Sequence, residues 1–61
     1  MDYYYTIAIM DKGVKKYYAD ERGWIESKAE AIWFYDFQEV RNTIFDEGLD
    51  MEDVIIDKEL L

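Results

Sequence analysis

Tyr3-Tyr4-Tyr5-Thr6-Ile7-Ala8-Ile9-Met10-Asp11-Lys12-Gly13-Val14-Lys15-Lys16-Tyr17-Tyr18-Ala19 is the stretch that decides the fold. From Met1 to Met10 it reads as a strand of period two. Tyr3, Tyr5, Ile7 and Ile9 fall on one face and Tyr4, Thr6, Ala8 and Met10 on the other, so both faces are fairly apolar. Asp11-Lys12-Gly13 supplies the chemistry of a short hairpin loop, with glycine free to take positive φ, and Val14 to Ala19 returns as a second strand. Asp20 to Gly23 follows as a charged turn.

Outward from the hairpin the signal first divides. Ala29, Ala31, Trp33 and Tyr35 alternate as in a strand, while Ser27-Lys28-Ala29-Glu30 also fits a helix capping box. The β-favouring run Ile32 to Tyr35 tips the reading to a third strand over Ala29 to Phe34. Asp36 is a clearer signal, an N-cap whose carboxylate can accept from the free N–H groups of a first turn, with Glu39 at the capping-box position and Tyr35 and Val40 as a hydrophobic staple. A helix is predicted from Phe37 to Asp46 or Glu47. Phe37, Val40, Ile44 and Phe45 form its apolar side, Gln38, Arg41 and Asn42 point outward, and Gly48 suits the left-handed position past its end. Met51 to Asp53 leads into a last strand, Val54 to Ile56, with Leu60 and Leu61 as tail anchors. The expected fold is α+β, β-β-(β)-α-β, one helix on an antiparallel sheet of three or four strands.

The chain has 61 residues, enough for a single domain with one small core that buries about 60% of the surface its unfolded form exposes. Domains this small lean on disulfides, a metal or a partner subunit. With no Cys and no His, thiolate and imidazole ligation are closed, and self-association is the support left. A homodimer is therefore expected, the more so because the sheet has two apolar faces and only one helix. The tyrosines of the hairpin point the same way, since their apolar bodies and polar tips pave a face too broad for one helix to cover.

The missing His and Cys also remove a His general base, a Cys nucleophile and a zinc-bound water, and the one serine, Ser27, has no imidazole to activate it. Carboxylate pairs need a cleft that excludes water and raises one pKa, which a core this small does not wall off. Neither an enzyme nor a cofactor is expected. Asp46 to Asp53 is rich in oxygen ligands but lacks the spacing of a calcium-binding loop, so no metal site is expected either. No phosphate-binding glycine motif and no basic patch is present, which argues against direct nucleic-acid binding. Apolar runs such as Ala31 to Tyr35 are far short of the roughly 18 residues that span a bilayer, and no basic region followed by an apolar stretch opens the chain. A soluble cytoplasmic protein is expected, and the absence of cysteine agrees with a reducing compartment.

Charge is the most informative feature. The net charge is -8, and it is lopsided: residues 1–35 hold six acids and five bases, residues 36–61 nine acids and two bases. The plain reading is that acids flank a helix and keep an aromatic-rich protein soluble. The sharper reading treats the carboxylates as stand-ins for phosphates, placed to occupy the positive groove of a DNA-binding protein.

A resemblance bears on that choice. Tyr5 to Gly13, then Lys16-Tyr17-Tyr18, Asp36-Phe37 opening the helix, Glu52-Asp53-Val54-Ile55-Ile56 and the closing Asp57-Lys58-Glu59-Leu60-Leu61 resemble the small acidic uracil-DNA glycosylase inhibitors of Bacillus-infecting tailed phages. The likeness covers most of the chain in outline and is specific at the hairpin and the tail. It implies a dimer in the host cytoplasm that mimics DNA, covers the glycosylase's DNA-binding surface and holds a protruding leucine of the enzyme in an apolar pocket. Phe37 would correspond to the family's helix aromatic near that pocket and Glu39 to the acid after it. Arg41 stands where the family has a tyrosine, and Trp24 to Tyr35 is longer than the family's link into the helix. On this reading Glu39, Asp46, Glu47, Asp50, Glu52 and Asp53 supply the carboxylates, while Phe37, Val40, Tyr17 and Tyr18 line the pocket. The alternatives are an acidic module for another basic host protein and a structural dimer with no DNA-binding target.

Overall fold

The computed structural model describes residues 2–61, so Met1, read above as the head of the first strand, lies outside the described residues. Strands β1 (Tyr3–Asp11), β2 (Val14–Tyr18), β3 (Trp24–Ile25) and β4 (Ile55–Leu60) form an antiparallel sheet in the order β3-β2-β1-β4, and helix α1 (Phe37–Asp46) packs on it. This is the expected α+β fold with four strands. Asp11 pairs with Val14 across a two-residue turn, and Lys12 at φ 53° and Gly13 at φ 82° are both left-handed. Those angles give the turn a twist that matches the flanking strands.

The period of two in β1 divides the interior. On one side of the sheet Ile7 is buried with Phe34, Val40 and Ile44; on the other Ala8 is buried with Tyr17 and Ala31. The helix begins and ends by local rules. The Asp36 carboxylate accepts from the Gln38 N–H at 3.0 Å. At the far end Gly48, at φ 72°, lets its N–H donate to the Phe45 carbonyl at 3.0 Å and the Leu49 N–H donate to the Ile44 carbonyl at 3.1 Å. These two bonds satisfy carbonyls that the helix leaves free, and Leu49 folds back onto the cluster that holds Ile44.

Three expectations are corrected. The third strand is not Ala29–Phe34 but Trp24–Ile25, paired with Tyr18 and Tyr17. Residues 28–33 instead cross the sheet face away from the helix: Ala31 is buried against Ala8 and Tyr17, Trp33 stacks on Tyr4 at 3.9 Å, and Lys28 pairs with Glu59. The chain then turns around the edge of β1 at Phe34, whose N–H and carbonyl exchange bonds of 2.9 and 2.7 Å with Tyr5, and Phe34 enters the helix-side core. The second apolar face, the reason given above for a dimer, is thus covered from within the chain. The last strand is Ile55–Leu60 rather than Val54–Ile56, because its polar residues find partners, Asp57 with Lys15, Glu59 with Lys28 and Lys58 over the Tyr3 ring. Leu60 and Leu61 are exposed and anchor nothing in the single chain.

Thr6 is fully buried and its Oγ1 has no hydrogen-bond partner among the described residues. A hydroxyl desolvated in this way costs about 1–3 kcal/mol. Thr6→Val is expected to stabilise the chain by ~1 kcal/mol, read as a higher urea midpoint with an unchanged slope; a lower midpoint would show that the hydroxyl is satisfied in solution.

Candidate functional site

The ion pairs decide where the net charge goes. Lys15 pairs with Asp57 at 3.0 Å, Lys16 with Asp11 at 2.7 Å, Arg22 with Glu30 at 2.6 Å, and Lys28 with Glu59. Each such surface pair contributes little stability. Together, however, they neutralise Asp57 and Glu59, which the sequence count assigned to the acidic half. Glu39, Asp46, Glu47, Asp50, Glu52 and Asp53 are exposed and have no ion-pair partner among the described residues. Most of the uncompensated charge therefore belongs to α1 and the loop after it; Asp2, Asp20, Glu21 and Glu26 are exposed elsewhere and likewise have no ion-pair partner among the described residues.

Helical geometry sorts these acids. Glu39 and Asp46, seven residues apart, lie on one flank of α1, while Arg41 and Phe45 lie four apart on another. Burial raises the Tyr18 hydroxyl above the ordinary tyrosine range, and the carboxylates of Asp20, Glu47 and Asp46 push it the same way. On the other flank the loop folds back at Gly48 to form an open groove of about 250 Å³, lined by Arg41, Ile44, Phe45, Leu49, Asp50 and Met51. Its floor is apolar. Asp50 stands on its rim, and Glu52 and Asp53 follow in a short turn closed by the Asp53 N–H donating to the Asp50 carbonyl at 3.0 Å.

The placement of Asp46 and Glu47 runs against helix stability. The last turn of α1 contains no basic residue, so these anions meet the negative end of the helix dipole. Acids at a helix start, such as Asp36, need no explanation beyond capping; acids at this end do.

The pocket expected from Phe37, Val40, Tyr17 and Tyr18 does not form. Val40 is completely buried beneath the helix and reaches no surface. Tyr17 and Tyr18 are neighbours on one strand and so face opposite ways: Tyr17 is buried with Ala8 and Ala31, Tyr18 packs against the cluster of Ile7 and Phe34. Phe37 is half exposed and lies edge-to-face on Tyr5, with ring centroids 5.4 Å apart, at the opposite end of the helix from the groove. The apolar recess beside the carboxylates is real but its lining was missed. Phe45 held the clue: it follows Ile44 directly, about 100° further around the helix, and cannot share its buried side. Phe45 is 82% exposed.

Among the described residues no group of three or more acidic side chains converges as a metal site would require, and no helix is long and apolar enough to cross a membrane. Compared with protein-family models, curated proteins and solved structures, the chain matches none.

Proposed function

We propose that the chain is an inhibitor that mimics DNA, covering the basic DNA-binding surface of another protein with the acidic end of α1 and its loop; the resemblance drawn above selects a host uracil-DNA glycosylase, met in the host cytoplasm, as that protein. The observation that carries the reading is that Asp46, Glu47, Asp50, Glu52 and Asp53 are exposed and, among the described residues, without ion-pair partners beside an apolar groove, at a helix end where acids oppose the dipole.

The physics follows from the target. A glycosylase grips phosphates with cationic groups and works apolar side chains into the base stack while it flips a base out. Carboxylates at the end of α1 offer the cations the charge of phosphates without a cleavable substrate. The groove over Ile44, Leu49 and Met51 receives an apolar side chain, and Arg41 on its rim keeps the anions from facing one another unrelieved. Complementary charge steers the encounter and fixes its orientation, while the apolar contact slows release.

Added to a family-1 uracil-DNA glycosylase, the protein is expected to stop uracil release in proportion to the amount added, with the endpoint near equimolar acidic surfaces and enzyme sites. Undiminished turnover at a large excess would remove the glycosylase as target.

A further inference from the structure

We propose that the open edge of β4 takes up an extended segment of another protein as a fifth strand, a segment in which apolar and charged side chains follow a fixed order. β4 ends the sheet order β3-β2-β1-β4. Its pairing with β1 settles which backbone groups point outward. Tyr5 turns its N–H and carbonyl to Phe34, away from β4, and the Leu61 N–H donates to the Asp2 carbonyl at 2.9 Å. An antiparallel ladder alternates, so Tyr4, Thr6 and Ala8 bond to Glu59, Asp57 and Ile55, while the N–H and carbonyl groups of Ile56, Lys58 and Leu60 face away from the sheet. Among the described residues no loop and no side chain bonds to those outward groups.

Sheet edges are commonly blunted by shortness, proline, a bulge or a charge. β3, at the other edge, is only two residues long. β4 has six residues in unbroken register with β1 and no proline. Lys58 is the one charged residue of its outward three, and its ammonium lies 4.3 Å from the Tyr3 ring centre, back over β1 rather than across the edge. Leu60 and Leu61, 81% and 64% exposed, close the row.

The side chains of β4 select the segment. On the helix side Ile56 and Leu60 favour apolar neighbours, and Lys58, with no carboxylate partner among the described residues, favours an acid between them. On the other side stand Asp57 and Glu59, in a chain of net charge -8, and a basic residue is favoured beside each. The segment therefore runs apolar-basic-acidic-basic-apolar. The inference does not rest on the DNA-mimic reading, because β4 holds none of the acids assigned to that surface and the test contains no glycosylase.

The probe is the end-capped peptide Thr-Leu-Lys-Glu-Lys-Leu-Thr, with amide hydrogen exchange followed by NMR. In the chain alone the amides of Ile56, Lys58 and Leu60 should exchange fast and those of Asp57 and Glu59 slowly; excess peptide should slow the first three. Methylating the backbone nitrogen of the peptide's glutamate, which removes the donor that faces Lys58, should weaken binding about tenfold. Lys58→Glu should weaken it about 2- to 10-fold, and lysine in place of the peptide's glutamate should restore it. No saturable binding at millimolar peptide overturns the proposal. So does binding that leaves the three amides fast, an N-methylated peptide that binds equally well, or a charge swap that restores nothing. Slow exchange at these amides that grows with protein concentration alone also overturns it, since a second copy then holds the edge.

Discussion

Replacing Asp46, Glu47, Asp50, Glu52 and Asp53 with their amides is expected to make the protein more resistant to denaturant and a far poorer ligand for its basic partner. The two halves of that result have one cause. The five carboxylates are exposed and, among the described residues, unpaired, and two of them sit at the negative end of α1, so their mutual repulsion and the helix dipole both act against the folded state. None accepts a cap bond: Asp50 precedes the short turn Met51–Asp53 without a side-chain hydrogen bond to it. The amides therefore remove repulsion and break no contact. Binding moves the other way, because charge steering can raise association rates by orders of magnitude at low ionic strength. A fall of about 10- to 100-fold in the association rate is expected at low salt, shrinking as salt shortens the Debye length to about 3 Å at 1 M. Stopped-flow association across a salt series, beside urea unfolding of the same variant, reads both quantities. Equal association rates for variant and wild type would show that these acids serve solubility alone.

The second large effect separates two phenylalanines that lie eleven positions apart. Phe34→Ala is expected to cost about 3–5 kcal/mol, as much as a domain of this size has to lose, so most of the variant should be unfolded at 25 °C. Phe34 is 7% exposed, exchanges two backbone bonds with Tyr5, stacks over Tyr18 at 6.3 Å and helps to bury Ile7, Val40 and Ile44. It is also where the chain passes from one face of the sheet to the other, so its loss loosens both layers. Phe45→Ala should change stability by no more than about 0.5 kcal/mol, since little of that ring is packed. Circular dichroism and the fluorescence of Trp24 and Trp33 during urea titration distinguish the cases. A Phe34→Ala variant with a near-native midpoint would mean that residues 28–36 do not hold the two layers together.

The parts of the fold that obey local rules were legible in the sequence. The Lys12-Gly13 turn, the Asp36 cap and the Gly48 end of the helix each depend on a few adjacent residues, and each appears where the sequence placed it. The parts governed by tertiary partners were not. Ala29 to Phe34 alternates because its side chains cover a sheet face and turn an edge, not because they belong to a ladder. Asp57, Lys58 and Glu59 look like a polar tail until Lys15, Lys28 and Tyr3 are seen to meet them. The recess failed for a reason the sequence did contain. Tyr17 and Tyr18 are consecutive on a strand and cannot share a face, and Val40 recurs with Ile44 on the side that the helix buries. The charge count was right in sum, but only the ion pairs distinguish Asp57 and Glu59 from the acids left free.

Most direct of all is competition for one surface. A fluorescently labelled uracil-containing duplex is bound to a family-1 uracil-DNA glycosylase whose catalysis has been disabled, and the protein is titrated in while anisotropy is followed. Mutual exclusion is predicted: the anisotropy should fall to that of free duplex, and adding more duplex should raise the concentration of protein needed. A ternary complex, seen as anisotropy that holds or rises while the protein binds, would contradict the account.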